Sequence, residues 1–319
     1  MLISVVIPAY NAGLFIAEAL DSVASQLRAA DEIIVVDDGA ADATAAIVVA
    51  WIAAHPALPA RLIRQANGGI STARNAGILA AGGDWIALLD ADDVWESDHL
   101  LQLVAAQAHA PQAIATYGGG QLLVDGVLQP GLYDSYWDQP SVTLGTAIAD
   151  TGCVLLDRAI IGRLLHGNFI KPSSLMMARA AAIRAGLFHP ALRASEDREF
   201  LLRLICLGNF VYTPVAITRY RWHADNSTAE KNSTRSMACA LHALHVIARA
   251  GNHQLDQAQA VVLVAETHAA TRAYLYTCAR QGWRAYFTAL RLVRTWGGAR
   301  RVLLGWRWQD LVHCLLARR

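Results

Sequence analysis

The sequence predicts an α/β fold, a mostly parallel sheet with helices on both faces, followed by a C-terminal helical extension. Three observations carry that prediction. Apolar runs alternate with segments of helical spacing through the first ninety or so residues. The runs are continuously apolar rather than alternating, as strands covered on both faces must be. Several of them end in polar residues, at the edge where open parallel sheets bind ligands.

The elements follow in order. "LISVVIPAY", Leu2 to Tyr10, reads as a first strand, leading into Asn11. Residues 12–27 carry apolar side chains at helical spacing, with Leu14, Ala17, Leu20, Val23 and Ala24 on one side. "EIIVVDDG" is a second strand, closing in Asp37-Asp38-Gly39; residues 41–55 form a helix and 60–66 a third strand. Residues 70–82 are a helix closed by Gly82-Gly83, and "DWIALLD" is a fourth strand that runs into Asp90-Ala91-Asp92-Asp93. Parallel pairing brings these strand ends to one rim, so two acidic clusters from distant parts of the chain converge. Carboxylates this close repel one another and are costly to bury without partners. A solvated turn is one explanation, but it has no need of convergence. A cation or phosphate-bound metal does.

Composition narrows the classes. The 319 residues accommodate one large α/β domain and an appendage. With 55% hydrophobic and 17% charged residues, disorder is excluded, and a net charge of +1 implies no strongly charged partner for the molecule as a whole. Five cysteines without a CxxC pair argue against zinc or a disulfide framework and for a reducing compartment. No secretory signal or membrane span is expected. The turn after the first strand lacks G-x-G-x-x-G, and no P-loop occurs, which removes most support for nicotinamide or P-loop chemistry.

Five stretches, "SVVIPAYNAG", "DEIIVVDDGAADAT", "NGGISTARNAGI", "GDWIALLDADD" and "SEDREFLLRL", resemble the family 2 glycosyltransferases in order and spacing, over about residues 3–223. The resemblance implies a GT-A fold: a catalytic domain over 1–225, with a nucleotide-sugar half to about 110 and an acceptor half over 111–225, then a helical extension over 226–319. It implies that Pro8, Tyr10 and Asn11 pack around the nucleotide base, and that Asp38, with Asp37 beside it, hydrogen-bonds that base. Gly69 and Arg74 match the segment contacting base and ribose. Asp90, Asp92 and Asp93 match the Asp-x-Asp segment, with Asp92, Asp93 and His223 expected at a Mn or Mg ion. Asp197 matches the general base, and Ser173, Ser174 and Glu196 fall on the acceptor side.

Two departures stand out. Ala40 replaces the usual Ser after Asp38-Gly39, and "TRYRW" has Thr218 where the processive branch has Gln, so transfer of a single sugar is expected. A hard cation with one or two carboxylates neutralises a leaving diphosphate, and a carboxylate base removes the acceptor's proton with inversion. Read without the resemblance, "SEDRE" is an acidic first helical turn, His223 a structural histidine, Arg74 a solvated helix residue and Tyr10 a cap on the sheet edge. The resulting expectation is an inverting, non-processive, metal-dependent enzyme using a UDP-sugar, with a glycan or lipid-linked acceptor, in cell-surface glycan synthesis. The competing readings are a nucleotidyltransferase, whose basic Gly-rich first loop is missing from "PAYNAG", and an inactive nucleotide-sugar-binding scaffold.

"DNSTAEKNSTRS" reads as a linker, and from about Ser236 the pattern is helical, broken near Gly251-Asn252 and Gly297-Gly298. Arg284, Arg291, Arg294, Arg300, Arg301, Arg307 and Arg318, interleaved with Trp283, Tyr286, Phe287, Trp296, Trp306 and Trp308, suit an anionic membrane surface. The same stripe would also serve to pack on the catalytic domain or to form a homodimer. A cytoplasmic protein, peripheral on the inner membrane face, is expected, with no nucleic acid partner.

Overall fold

The apolar runs become strands and the intervening segments helices in a computed structural model that describes residues 1–223, 226, 233–250 and 255–297. In chain order the elements are β1 (Ile3–Ala9), α1 (Ile16–Ala24), β2 (Glu32–Asp37), α2 (Thr44–Ala54), β3 (Ala60–Arg64), α3 (Ile70–Ala80), β4 (Trp85–Leu88), β5 (Val94–Trp95) and α4 (His99–His109). There follow β6 (Ala115–Val124), β7 (Val127–Leu128), α5 (Pro140–Thr143), β8 (Thr146–Ala147), β9 (Val154–Leu156), α6 (Ile161–His166), β10 (Leu175–Ala178), α7 (Arg179–Arg184), α8 (Glu196–Ile205) and β11 (Phe210–Trp222). Helices α9 (Ser233–Ala250), α10 (Gln257–Arg280) and α11 (Trp283–Gly297) complete the described chain. Two compact units result: Met1–Arg193 with Phe200–His223, and Ala194–Glu199 with the described part of 224–319.

The sheet of the first unit runs β3-β2-β1-β4-β10-β6-β11-β9-β8, with β5 on β11 and β7 on β6. Strands β3, β2, β1 and β4 are parallel neighbours. The chain builds outward from β1 to β3, then crosses back to place β4 on the other side of β1. Strand order therefore reverses between β1 and β4, and a crevice opens beyond their carboxyl ends. Past β4 the sheet is mixed: β10 lies antiparallel to both β4 and β6, while β6 and β11 form a second parallel pair. Direction is invisible in the sequence, because "LMM" of β10 is as apolar as any parallel strand. The Asp125-Gly126 turn of the β6–β7 hairpin has positive φ at both residues, 50° and 78°, which suits Asp-Gly.

One expectation at α1 needs correction. Leu14 is 89% exposed, in the turn before the helix, and Ala17 is exposed too. The inward face is Ile16, Ala19, Leu20 and Val23. The helix begins later than its periodicity implied, and the inward stripe follows from Ile16 instead.

Helix α3 packs against β1 closely enough to require glycine. A Cβ on Gly77 would lie 2.3 Å from Val6 Cγ1. Gly77→Ala is expected to lower stability by about 1–3 kcal/mol, the usual cost of overpacking, measurable as a reduced urea midpoint.

His99 heads α4 with no exposed surface, its ring stacked 3.9 Å from that of Trp95. Nδ1 lies 2.9 Å from the Ile217 carbonyl, while Nε2 is buried without a partner. Burial pushes its pKa from 6.5 down to about 3, so the imidazole is neutral in the fold. A depressed histidine stabilises fully above its ordinary pKa of about 6.5 and loses that contribution as pH falls. Urea unfolding is thus expected to lose up to about 1.4 kcal/mol per pH unit below that value from this group. His99→Gln, which cannot titrate, should flatten the slope between about pH 6 and 4.5.

The second unit buries Leu241 of α9, Tyr274, Leu275 and Cys278 of α10, and Tyr286, Ala289 and Val293 of α11 around one core. Asp256 and Gln259 form a reciprocal capping box at the start of α10. Tyr286, expected in the basic aromatic stripe, points into this core instead, while Trp283, Arg284, Phe287 and Arg291 of α11 are exposed and the helix carries no acidic residue. Arg300, Arg301, Arg307, Arg318, Trp306 and Trp308 lie outside the described residues, as do Gly251-Asn252 and Gly298. No described helix is long and apolar enough to cross a membrane.

Candidate functional site

The acidic clusters leave the sheet at one edge. Ala9 pairs with Asp37 at the ends of β1 and β2, and Asp38 N–H donates to the Ala9 carbonyl (2.9 Å). Beside them β4 ends against β1, with Leu89 N–H donating to the Val6 carbonyl (3.1 Å), so that Asp90 begins next to the β1 terminus.

Asp38 is buried and organises a loop. Its Oδ1 accepts from Gly68 N–H (2.8 Å) and Gln65 Nε2 (2.7 Å), and its Oδ2 from Gly69 N–H (2.7 Å). The carboxylate thus fixes the turn that opens α3, where Gly69 adopts φ +89° and a Cβ would fall 2.6 Å from the Arg193 guanidinium. Asp37 Oδ1 accepts from Ala40 N–H (2.9 Å), with Arg64 4.0 Å from its other oxygen. Asn11, at φ 50°, accepts from Ala41 N–H through Oδ1 (2.8 Å). Pro8 pairs with Val36 inside the sheet, and Tyr10 stands half exposed at the edge.

The three carboxylates after β4 have three different environments. Asp90 forms an ion pair with Arg74 (2.6 Å), whose buried guanidinium lies 5.1 Å from the Phe188 ring. Arg74 is therefore a core ion-pair residue and not a solvated one. Asp93, expected beside Asp92 at a metal, is 1% exposed and turned inward. Its Oδ2 accepts from the Ser173 hydroxyl (2.5 Å) and its Oδ1 from Arg221 N–H (2.9 Å). Burial, reinforced by the charges of Asp92 and Asp90, holds its carboxyl well above the usual range and favours the protonated form. Asp92 keeps an outward face: its Oδ2 lies 3.1 Å from His223 Nε2, and both side chains are partly exposed. The crowding is thus relieved by an arginine at Asp90 and a proton-favouring interior at Asp93, which leaves Asp92 and His223 at the surface.

Ser173 does not face outward either. It is fully buried, and its Oγ also accepts from Asp90 N–H (3.1 Å), so it ties both ends of the acidic segment. Ser174, also buried, donates to the Lys171 carbonyl (3.0 Å). Asp197 and Glu196 open α8 and belong to the second unit. Asp197 Oδ1 accepts from Arg198 N–H (2.7 Å), and Glu196 is buried.

Three residues here escaped sequence reasoning. Arg221 Nε donates to the Asp92 carbonyl (2.9 Å), its guanidinium bonds Glu18 of α1, and it lies 5.1 Å from the Phe15 ring. Phe15 in turn packs against the His223 ring at 4.7 Å. The alternation Arg219, Arg221 in β11, which puts both on one face, was the available signal.

Among the described residues no group of three or more His, Cys, Asp or Glu stands close enough to hold a metal ion unaided. Asp92 and His223 make a two-donor set. Its carboxylate is the oxygen ligand a hard cation takes together with substrate phosphates, and the imidazole adds one nitrogen donor.

Residues 4–121 match the family model Glycosyl transferase family 2. This segment belongs to that family. Among curated relatives, the Bacillus subtilis protein EpsJ, described as an uncharacterized glycosyltransferase, is 39% identical over 111 residues, 35% of this chain and 31% of its own. The Rhizobium meliloti succinoglycan biosynthesis protein ExoO is 40% identical over 124 residues, 39% of this chain and 32% of its own. The chain thus spans about a third of the length of these relatives. Two solved structures share the fold across 99% of this chain. Staphylococcus aureus TarS 1–349 in complex with UDP-GlcNAc aligns with TM-score 0.65 at 18% identity over 89% of its chain. The Pyrobaculum calidifontis mannosyltransferase PcManGT, in complex with GDP-Man and Mn2+, aligns with TM-score 0.60 at 17% identity over 83% of its chain. The fold is GT-A, with its mixed sheet and C-terminal helices.

Proposed function

We propose that this chain transfers one sugar from a nucleotide-diphosphate sugar, with UDP favoured, to an acceptor hydroxyl with inversion, in cell-surface glycan synthesis. The observation that carries the reading is the convergence, at the edge where strand order reverses, of the Asp38-fixed loop and the Asp92–His223 pair. The first is a loop held rigid by the buried Asp38 carboxylate, against which a nucleoside can pack; the second is an outward carboxylate–imidazole pair suited to a cation and diphosphate. TarS and PcManGT, which carry nucleotide sugars on this fold, support the same reading.

Asp92 and His223 would hold the Mn or Mg ion, and when bound it would neutralise charge on the departing diphosphate. The chain's own residues do the rest. Arg221 and Ser173 fix the Asp92 backbone and the Asp90–Asp93 turn, which limits reorganisation when the donor binds. Thr218 fills the place of the processive branch's Gln, buried with its hydroxyl 3.2 Å from the Ser173 carbonyl. It is thus part of the packing under the site, in keeping with single-sugar transfer. Asp197 is the base that takes the acceptor's proton.

The exposed Trp283, Arg284, Phe287 and Arg291 of α11 support peripheral docking on an anionic membrane. Liposome flotation of the full chain with and without Trp283→Ser and Phe287→Ser checks that part, and unchanged flotation would remove it. The function itself is tested by incubating purified protein with UDP-, GDP- and dTDP-sugars and Mn2+. Release of one nucleoside diphosphate, abolished by chelator, is expected. No release from any donor would sink the reading.

A further inference from the structure

The segment that opens α8 belongs by its contacts to the helical unit. Ala194–Glu199 groups with the described part of 224–319, while the helix from Phe200 onward groups with the sheet. Within the helical unit this segment is fastened to α9 near both ends. Ala194 N–H donates to the Cys239 thiol, and Arg198 Nη2 donates to the Ala240 carbonyl (3.1 Å). Between the two fastenings Ser195 holds φ 58°, a left-handed conformation uncommon outside glycine. Asp197 lies inside the fastened stretch.

Arg198 is the unexpected residue of the four. It is buried, its side chain makes one hydrogen bond among the described residues, to Ala240, and its Nε has no partner. Burial lowers its pKa, while the charges of Asp197 on α8 and Glu266 on α10 raise it. Packing alone does not ask for an arginine here. An apolar side chain of similar length would avoid desolvating a cation, and buried charges are often replaced by such residues without loss of stability.

What a guanidinium supplies, and methionine cannot, is a fixed positive charge beside the Asp197 carboxylate. The backbone N–H of the same residue donates to Asp197 Oδ1 (2.7 Å). One residue thus holds that carboxylate through both its backbone and its charge, and is itself held by α9 and α10.

We infer that Arg198 is a positioning residue for the base: anchored on the helical unit through Ala240 and Glu266, it fixes the orientation of the Asp197 carboxylate. The helical unit is then part of the machinery of proton removal as well as a docking surface. The inference rests on the reading of Asp197 as base and adds the part that holds it.

Donor hydrolysis by the full chain, with water as acceptor, tests it. The probe is whichever UDP-, GDP- or dTDP-sugar the unaltered chain cleaves with Mn2+, and every variant is assayed well below its melting transition. Arg198→Met should lower kcat about tenfold and leave the donor KM within about twofold, the pattern of a misplaced catalytic group. Arg198→Lys, which keeps a charge, should recover most of that loss, and Glu266→Gln should lower kcat several-fold from a separate helix. The deciding comparison is made in Asp197→Asn, where adding Arg198→Met should change the residual rate by less than about twofold, because the arginine acts through the carboxylate. Where Arg198→Met melts too low, Glu266→Gln serves in the same comparison. An equal fall in both backgrounds would show a merely structural role, and an unchanged rate would show no role; either overturns the inference. Full rate in Asp197→Asn alone, or cleavage of no donor by the unaltered chain, would instead overturn the underlying reading.

Discussion

Asp197→Asn is expected to lower sugar transfer by roughly 10²–10⁴-fold, the usual contribution of a general base, while nucleoside diphosphate binding stays within twofold. Asparagine keeps an oxygen where Asp197 Oδ1 accepts from Arg198 N–H, so the start of α8 should survive. The charge change has a second, smaller consequence. Arg198 is buried, its guanidinium bonds the Ala240 carbonyl, and burial lowers its pKa while Asp197 and Glu266 raise it. Removing one of those carboxylates should cost about 1 kcal/mol or less, within the range of a partly solvated pair. Single-turnover transfer and a melting curve separate the two effects. Transfer that persists at full rate would show that Asp197 is not the base.

Asp92→Ala should be nearly as damaging but by another route. It removes the outward carboxylate beside His223 and with it one of the two protein donors proposed for the cation. A cation's stabilisation of a leaving diphosphate amounts to several kcal/mol, so a loss on the order of 10³-fold is expected. Raising Mn2+ should recover part of it, because His223 and the substrate phosphates remain. Asp93→Ala makes an informative contrast. Asp93 is buried with partners at both oxygens, so its loss leaves the Ser173 hydroxyl and the Arg221 N–H without acceptors. Its signature should be a lower melting temperature, from about 1–3 kcal/mol per stranded donor, and added Mn2+ should not rescue it.

Much of the chain through β4 was legible in the sequence for a physical reason. Strands buried on both faces must be apolar throughout, so Val5-Val6-Ile7 and Ile33-Ile34-Val35-Val36 mark β1 and β2 without ambiguity; Asp37 marks the end of β2 as Asp90 marks that of β4. Less visible was the division of labour within one acidic run. Asp90, Asp92 and Asp93 look equivalent in sequence. Only the tertiary placement of Arg74 and Ser173 makes the first an ion pair, the last a buried structural carboxyl and the middle one an outward donor. Strand direction past β4 was hidden for a similar reason. Leu175-Met176-Met177 carries no signal that it would insert antiparallel between β4 and β6. Arg221 joins β11 to α1 through Glu18, a contact across more than two hundred residues that no local pattern announces.

Calorimetric titration of UDP, with and without Mn2+, into the unaltered chain, Asp38→Ala and Asp92→Ala bears most directly on the claim that this sheet edge grips a cation-bound nucleotide. Cation-dependent binding is predicted for the unaltered chain. Asp38→Ala should weaken UDP in either condition by releasing the Gly68–Gly69 frame, and Asp92→Ala should abolish only the part contributed by Mn2+. Binding that ignores the cation and both substitutions, or a failure of UDP, GDP and dTDP alike to bind, would contradict the account.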